Sequence, residues 1–323
     1  MRWTGLGLSL AVLVAMAALS LAVGAQAIPI GEVWQQFWHP DGGETAAVIH
    51  DLRLPRTLLG LCVGLALGLA GALMQGLTRN PLADPGLLGV NSGASLAVVC
   101  SILFFGAHDM TTWVWFSMAG ALVAAVAVYA LGAHHPTRLV LAGSAISASL
   151  VAAINGVLAL DSGVFDQWRF WDVGALAGRS LDVVAQVAPF VLVGSLLALG
   201  LGRGLNVIAL GEQTGQALGV RLGRTRLLAG VAITLLCGAA TAAAGPIGFI
   251  GLMAPHAVRA FTGPDHRWVL AYSAVLAPAL LLAADVLGRV VVRPGELESG
   301  IVTAFVGGPI FIYLLRRRKA VAA

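Results

Sequence analysis

RLPRTLLGLCVGLALGLAGALMQGLTRNPLADPGLLGVNSGA, running from Arg53 to Ala94, decides how this chain is built. A charged collar, Arg53 to Arg56, leads straight into an apolar run long enough for the ~20 residues that cross a bilayer. Gly60, Gly64 and Gly68 recur at intervals of four, with Gly71 close behind. Residues four apart share one face of a helix, and small side chains on that face let another backbone approach closely in lipid. The stretch therefore predicts a membrane helix made to pack on others. It ends in a turn-rich polar segment, NPLADPG, before a second apolar run begins.

The same pattern recurs along all 323 residues. The chain is 59% hydrophobic and 11% charged, with a mean hydropathy of +0.90, where a soluble chain would carry roughly a quarter charged residues. A β-barrel is excluded because barrel strands alternate polar and apolar residues over about ten positions, and these runs do not. The expected fold is all-α, a polytopic membrane protein of about ten spans: 5–27, 54–77, 90–106, 112–132, 139–159, 181–202, 226–243, 246–261, 269–288 and 300–315. Residues 1–323 read as one transmembrane domain, without a soluble module. The first run, Leu6 to Val23, is longer than the ~7–15 residues of a signal core, so a retained span is expected.

Orientation follows from the basic residues. With the tail Arg316-Arg317-Arg318-Lys319 in the cytoplasm, both termini lie inside. Of the 19 basic residues only Arg53, Arg56, Arg169, Arg179, Arg289 and Arg293 then fall outside, as the positive-inside rule requires. NPLADPG becomes a turn on the cytoplasmic side. The basic pI reflects this sorting and gives no reason to expect nucleic acid. Cys62, Cys100 and Cys237 each sit in an apolar run and read as small buried hydrophobes.

Two connections stand out. The outer one, Leu160 to Ser180, carries Trp168, Phe170 and Trp171 beside three aspartates, as an aromatic belt at the membrane boundary would. The inner one, 203–226, is too polar to span. Leu205, Ile208 and Ala209 fall on one face of a short helix, and Ala217, Leu218 and Leu222 on one face of a second. Such stripes predict docking on a cytoplasmic partner. Arg53 and Arg56, with Asp285 and Arg289 at the outer end of the ninth span, admit two readings. They are membrane-boundary anchors, or a set of outward guanidinium groups that pair with a soluble partner's carboxylates.

The spans hold almost no ionisable groups at their middles. Ion-coupled carriers rely on such groups as relays, so secondary transport is disfavoured. Ser144, Ser147 and Asn155 on the fifth span line a neutral path or bond to neighbouring helices. An enzyme is not indicated. There is no zinc pair of the HExxH type and no nucleophile elbow, and the sole lysine, Lys319, precedes Ala320, which excludes a Walker A motif.

These motifs together carry a resemblance: RLPR (53–56), GALMQGLTRNPLADPGLLGVNSGAS (71–95), LAGSAIS (141–147), FWDVGALAGRSL (170–181), ALGVRLGRTR (217–226), GPIGFIGLMAPHAVR (245–259), DHRW (265–268), and the ending from ADVLGR to PGELESGIVTAFVGGPIFIYLLRRRK. In order and over nearly the whole chain they resemble the FecCD family, the ABC-type permeases for ferric siderophores, vitamin B12 and haem, and within it the enterobactin-type ferric-siderophore permeases most. The resemblance implies the type II importer (vitamin B12 permease-like) fold, in the bacterial inner membrane. It implies a second permease subunit, the same chain or a sister, with the substrate path between the two. It implies a periplasmic or lipid-anchored binding protein outside, and two ATPase subunits inside that hold ATP and Mg, with no cofactor in this chain. The implied docking residues are Arg53, Arg56 and Arg289, and the implied ATPase-coupling residues Glu212, Gly215 and Gly219. The implied path and gate comprise His134, His135, Ser144, Ser147 and Asn155.

Overall fold

The computed structural model describes residues 2–24, 26, 28–132, 136–211 and 222–321. Ten helices coincide with the ten apolar runs. They are α1 (Arg2–Ala22), α4 (Leu54–Thr78), α5 (Val90–Phe105), α6 (Met110–Gly132), α7 (Pro136–Leu160), α9 (Leu181–Gly200), α11 (Leu222–Ala244), α12 (Ile250–Thr262), α13 (His266–Val291) and α14 (Ser299–Val321). Shorter helices lie between them: α2 (Ile30–Trp38), α3 (Glu44–Ala47), α8 (Ser162–Asp172) and α10 (Gly202–Ala209). Seven helices are long and apolar enough to cross a membrane. The chain is a multi-pass membrane protein. Its two ends are named here by their residues: the Arg56 end, where α4 starts, and the Asp265 end, where α13 starts.

The glycine ladder packs as the sequence predicts, and against a definite partner. A Cβ on Gly64 would fall on the Pro278 backbone, one on Gly68 would crowd the Ser273 carbonyl and Ala277, and one on Gly60 would press into Leu282. Three rungs thus seat α4 on α13, Gly64 and Gly68 against its backbone and Gly60 against a side chain. Gly71 turns to α12, where a Cβ would land on the Gly251 carbonyl. With tight contacts on two sides, α4 is buried almost all round and becomes the axis of the core.

Two segments without α-helix lie against the bundle: NPLADPG, expected as a cytoplasmic turn, and 245–249, most of which was expected inside the eighth span, 246–261. NPLADPG is partly folded in: Ala83 and Pro85 are buried, as are Leu88 and Val90 just beyond it, while Asn80 and Leu82 stay exposed. Arg79 starts the segment at φ 53, and Asp84 caps its short 3-10 turn by accepting from the Gly86 N–H at 2.8 Å. At the start of α5, Asn91 Oδ1 accepts from Thr241 Oγ1 of α11 at 2.9 Å, deep along that helix. The second segment, 245–249, runs without helix before α12, whose 13 residues reach ~20 Å against a hydrocarbon core of ~30 Å. NPLADPG meets the first turn of α12, since a Cβ on Gly251 would press on the Pro85 ring and the Leu67 carbonyl. Non-helical backbone at membrane depth persists only where protein satisfies it. Here the Gly245 N–H donates to the Thr241 carbonyl at 2.8 Å, and in the first turn of α12 Gln75 of α4 donates to the carbonyls of Gly251 (3.4 Å) and Leu252 (3.2 Å).

Of the three aromatics named for a belt in 160–180, Phe170 is exposed. Asp161 caps α8, and its amphipathic face turns Trp171 into the core. Trp168 Nε1 donates to Ser95 Oγ of α5 at 2.8 Å. The cysteines are free. Cys237 is buried as expected, whereas Cys62 and Cys100 are only half-buried.

Candidate functional site

At the Arg56 end the chain enters α4 through a π-helical turn, Val48–Arg53. That turn aims Arg53 back at the end of α1 and sets Arg56 against α13. Arg56 Nε and Nη2 reach both oxygens of Asp285 at 2.9–3.2 Å, and its Nη1 donates to Glu296 at 2.5 Å. Arg289, one turn after Asp285 on the same face, closes on the same carboxylate through Nε at 3.0 Å and through Nη2. Ser299 Oγ at the start of α14 donates to it at 2.6 Å.

The remaining guanidinium donors finish α1. The last carbonyls of a helix lack partners within it and attract cations. Arg289 Nη1 donates to the Ser20 and Val23 carbonyls at 2.7 and 3.0 Å. Arg53 donates to those of Leu21, Ala22 and Gln26 at 2.8–2.9 Å, and Arg293 to that of Gly24 at 2.9 Å. Arg293, which the sequence left without a role, is thus part of the cap.

This geometry corrects the picture of outward guanidinium groups. Arg53, Arg56 and Arg289 are only 4, 8 and 1% exposed, and Asp285 is 0% exposed. Their donors are spent inside the chain because four segments, α1, α4, α13 and α14, converge there with carbonyls and one carboxylate to satisfy. Glu296 is the more open partner, its side chain 31% exposed. A recess of about 290 Å³, lined by Gln26, Leu52, Arg56, Ala177 and Glu296 among others, opens over the cluster. Beside it, burial pushes the Glu298 carboxyl upward against the pull of Arg56 and Arg179. Burial also lowers the Arg179 guanidinium to about 10, with Glu298 opposing.

The expected path residues lie on α7. Ser144 and Asn155 sit on its exposed side, and Ser144 Oγ turns back to the Val140 carbonyl at 2.9 Å. Ser147 is half-buried and faces Gly89 in the folded-in segment. Ala145, Ala148, Ser149, Ala152 and Gly156 add small side chains to the exposed side between Ser144 and Gly156, where Val151 is the large exception, and Leu141 and Leu160 are exposed beyond it. The exposed side of α6, by contrast, is Leu122, Val123, Val126 and Leu131. His134 and His135 lie outside the described residues.

At the Asp265 end, α10 buries Leu205 and Ile208 within the chain itself rather than holding them out for a cytoplasmic partner as its stripe led us to expect, while Ala209 is exposed. A clamp the sequence reading missed fixes it there. Asn206 Nδ2 donates to Asp265 at 2.7 Å, and Asn206 Oδ1 accepts from the His266 N–H at 2.8 Å. Asp265, the cap of α13, has its carboxyl held below the usual range chiefly by the Asn206 bond. An aspartate just before an apolar helix was the available signal; its partner, 59 residues away, had none. Nearby, Arg259 donates to Gln75 at 2.5 Å, tying α12 to α4. Glu212, Gly215 and Gly219 lie outside the described residues.

The comparisons with known proteins agree with this architecture. The profile of the FecCD transport family matches residues 12–317. The chain is 48% identical to the ferric enterobactin transport system permease protein FepD of Escherichia coli, over 96% of this chain and 94% of that one. It is 36% identical to the hemin transport system permease protein HmuU of Yersinia pestis, over 97% and 96%. Among solved structures it superposes with a TM-score of 0.86 on a metal-chelate type ABC transporter in an inward-facing conformation, at 26% identity, covering 98% of this chain and 99% of the other. A spanning bundle with two folded-in segments, matched from end to end by one family's profile and by its relatives, leaves one assignment: this chain belongs to the FecCD transport family.

Proposed function

We propose that this chain is the membrane-spanning subunit of an ATP-driven importer and passes a ferric siderophore between itself and a second permease subunit. The observation that carries this reading is the exposed stretch of α7 from Ser144 to Gly156, small and mildly polar apart from Val151 where a lipid-facing helix would be large and apolar throughout. A siderophore already satisfies its iron, so the path needs shape and mild polarity rather than metal ligands. The 48% identity to a ferric enterobactin permease supports the substrate class.

In this reading the Asp265 end is cytoplasmic, with both termini. Two ATPase subunits, which hold ATP and Mg, dock on the inner connection through Glu212, Gly215 and Gly219. A binding protein delivers substrate at the Arg56 end. Because Arg53, Arg56 and Arg289 are spent internally, its carboxylates engage Arg56 by displacing Glu296 rather than by meeting free groups. Movement falls between the two permeases, since Gly64 and Gly68 of α4 sit against the α13 backbone and packed interfaces switch between discrete arrangements instead of deforming. The ATPase supplies the energy and the permease supplies the two states.

Uptake of labelled ferric siderophore by a deletion strain carrying this chain and its partner subunits tests the proposal. ATPase-dependent accumulation is the expected result. A second reading, haem import, draws on the hemin permease relative; accumulation of haem without siderophore would select it. Uptake that survives loss of the ATPase and collapses with the proton gradient would overturn both.

A further inference from the structure

Helix α2 carries more apolar surface than the protein covers. At about 100° per residue, its nine residues sort into three faces. Val33, Gln36 and Phe37 turn toward the chain; Val33 and Gln36 are buried, and the Phe37 ring stacks on His50 at 5.9 Å between centroids. Gly31, Glu32 and Gln35 form a polar side open to water. Between them Ile30, Trp34 and Trp38 stand outward in one stripe, 74, 67 and 59% exposed, the two indoles edge to face at 5.8 Å. A helix that only packed on the protein would not need that third face.

Its neighbours say what lies against the stripe. α2 touches α1, α3 and the π-helical turn. α1 is the peripheral span, with 11% of its apolar window buried and Leu8, Leu10, Val14 and Leu19 bare. Leu52 of the π-helical turn is bare as well. The stripe therefore continues a surface already turned to lipid. The seven-residue link 23–29 joins α1 to α2, and its Val23 and Gly24 carbonyls are the ones that Arg289 and Arg293 cap, so α2 starts close to the end of the apolar α1. Indoles favour the membrane boundary, and a helix with an apolar arc and a polar arc lies in its plane.

We propose that α2 is an interfacial helix whose Ile30–Trp34–Trp38 stripe is seated in the lipid headgroup and upper acyl region at the Arg56 end. There it holds the end of α1, and with it the arginine cap, at a fixed depth. A binding protein docking on the same end meets the polar side of α2 and not the indoles.

The test is tryptophan fluorescence of the assembled transporter in phosphatidylethanolamine–phosphatidylglycerol nanodiscs, comparing the native chain with Trp34→Phe/Trp38→Phe. The difference signal belongs to the stripe. Quenching of that signal by lipids with a nitroxide near the headgroup, weaker quenching by a nitroxide at the chain end, and insensitivity to aqueous iodide is the expected result. Iodide quenching relieved by added binding protein would make the stripe a protein-docking face and overturn the proposal. Silence to both quenchers would place the indoles under another protein chain and overturn it equally. Should the double variant fail to assemble, Trp34→Phe alone gives the same readout at half the signal.

Discussion

α4 and α7 are both helices of 25 residues, both rich in small side chains, and they have opposite surroundings. The best apolar window of the segment containing α4 is 78% buried, and that of the segment containing α7 is 11% buried. In α4 the small residues are used up within the chain: each rung of the ladder meets a backbone or side chain of α13 or α12. In α7 the same kind of residue faces outward with no counterpart among the described residues. Small residues favour close approach wherever they lie. The difference is whether the partner is in the same chain, and this separates a fixed core from a surface awaiting a second subunit.

The comparison breaks first at Asp285. Asp285→Leu strands Arg56 and Arg289 in the interior, and removing one member of a buried charge set costs about 3–5 kcal/mol. A large fall in melting temperature in detergent is expected, whereas Asn155→Leu on α7 should leave the melt unchanged. Next comes bulk. Gly64→Leu forces the α4–α13 contact apart at an overpacking cost of about 1–3 kcal/mol. Ala148→Leu on α7 should fold normally and lose transport. Thermal melts and uptake, measured separately, would expose a false distinction if both variants lost stability alike.

The inner clamp sharpens the comparison at a smaller scale. Asn206→Leu removes the bonds holding α10 to the start of α13, worth about 1.5–3 kcal/mol for a hydrogen bond to a charged group. ATP hydrolysis should continue while uptake per ATP falls; unchanged coupling would show that α10 does not transmit motion. Glu296→Gln should have the smallest effect, because a partly exposed pair contributes roughly 0–1 kcal/mol. A melt lowered as far as that of Asp285→Leu would contradict the ranking.

Much of this was legible in the sequence for a physical reason. A bilayer imposes length and apolarity on each span, so the ten runs appeared directly, and intervals of four marked the packing face of α4. The folded-in segments were not legible. Pro81 and Pro85 in NPLADPG mark a break in helix equally well at the surface and inside, and only the contact with Gly251 distinguishes the two. The arginines failed in the same way: Arg53 and Arg56 show charge at a helix start, but the carbonyls of α1 that consume it lie about thirty residues upstream. Local pattern fixed which residues were special, and tertiary partners fixed what they do.

The central claim is that the bare face of α7 lines a water-accessible path. In a chain whose three native cysteines are replaced by alanine, Ser144→Cys and Asn155→Cys would be compared with Leu122→Cys on the exposed side of α6. Labelling by a membrane-impermeant thiol reagent in the assembled transporter is the measurement. The account predicts that the α7 positions react, that substrate-loaded binding protein protects them, and that Leu122→Cys stays unlabelled in lipid. Labelling at Leu122→Cys with none on α7 would contradict it.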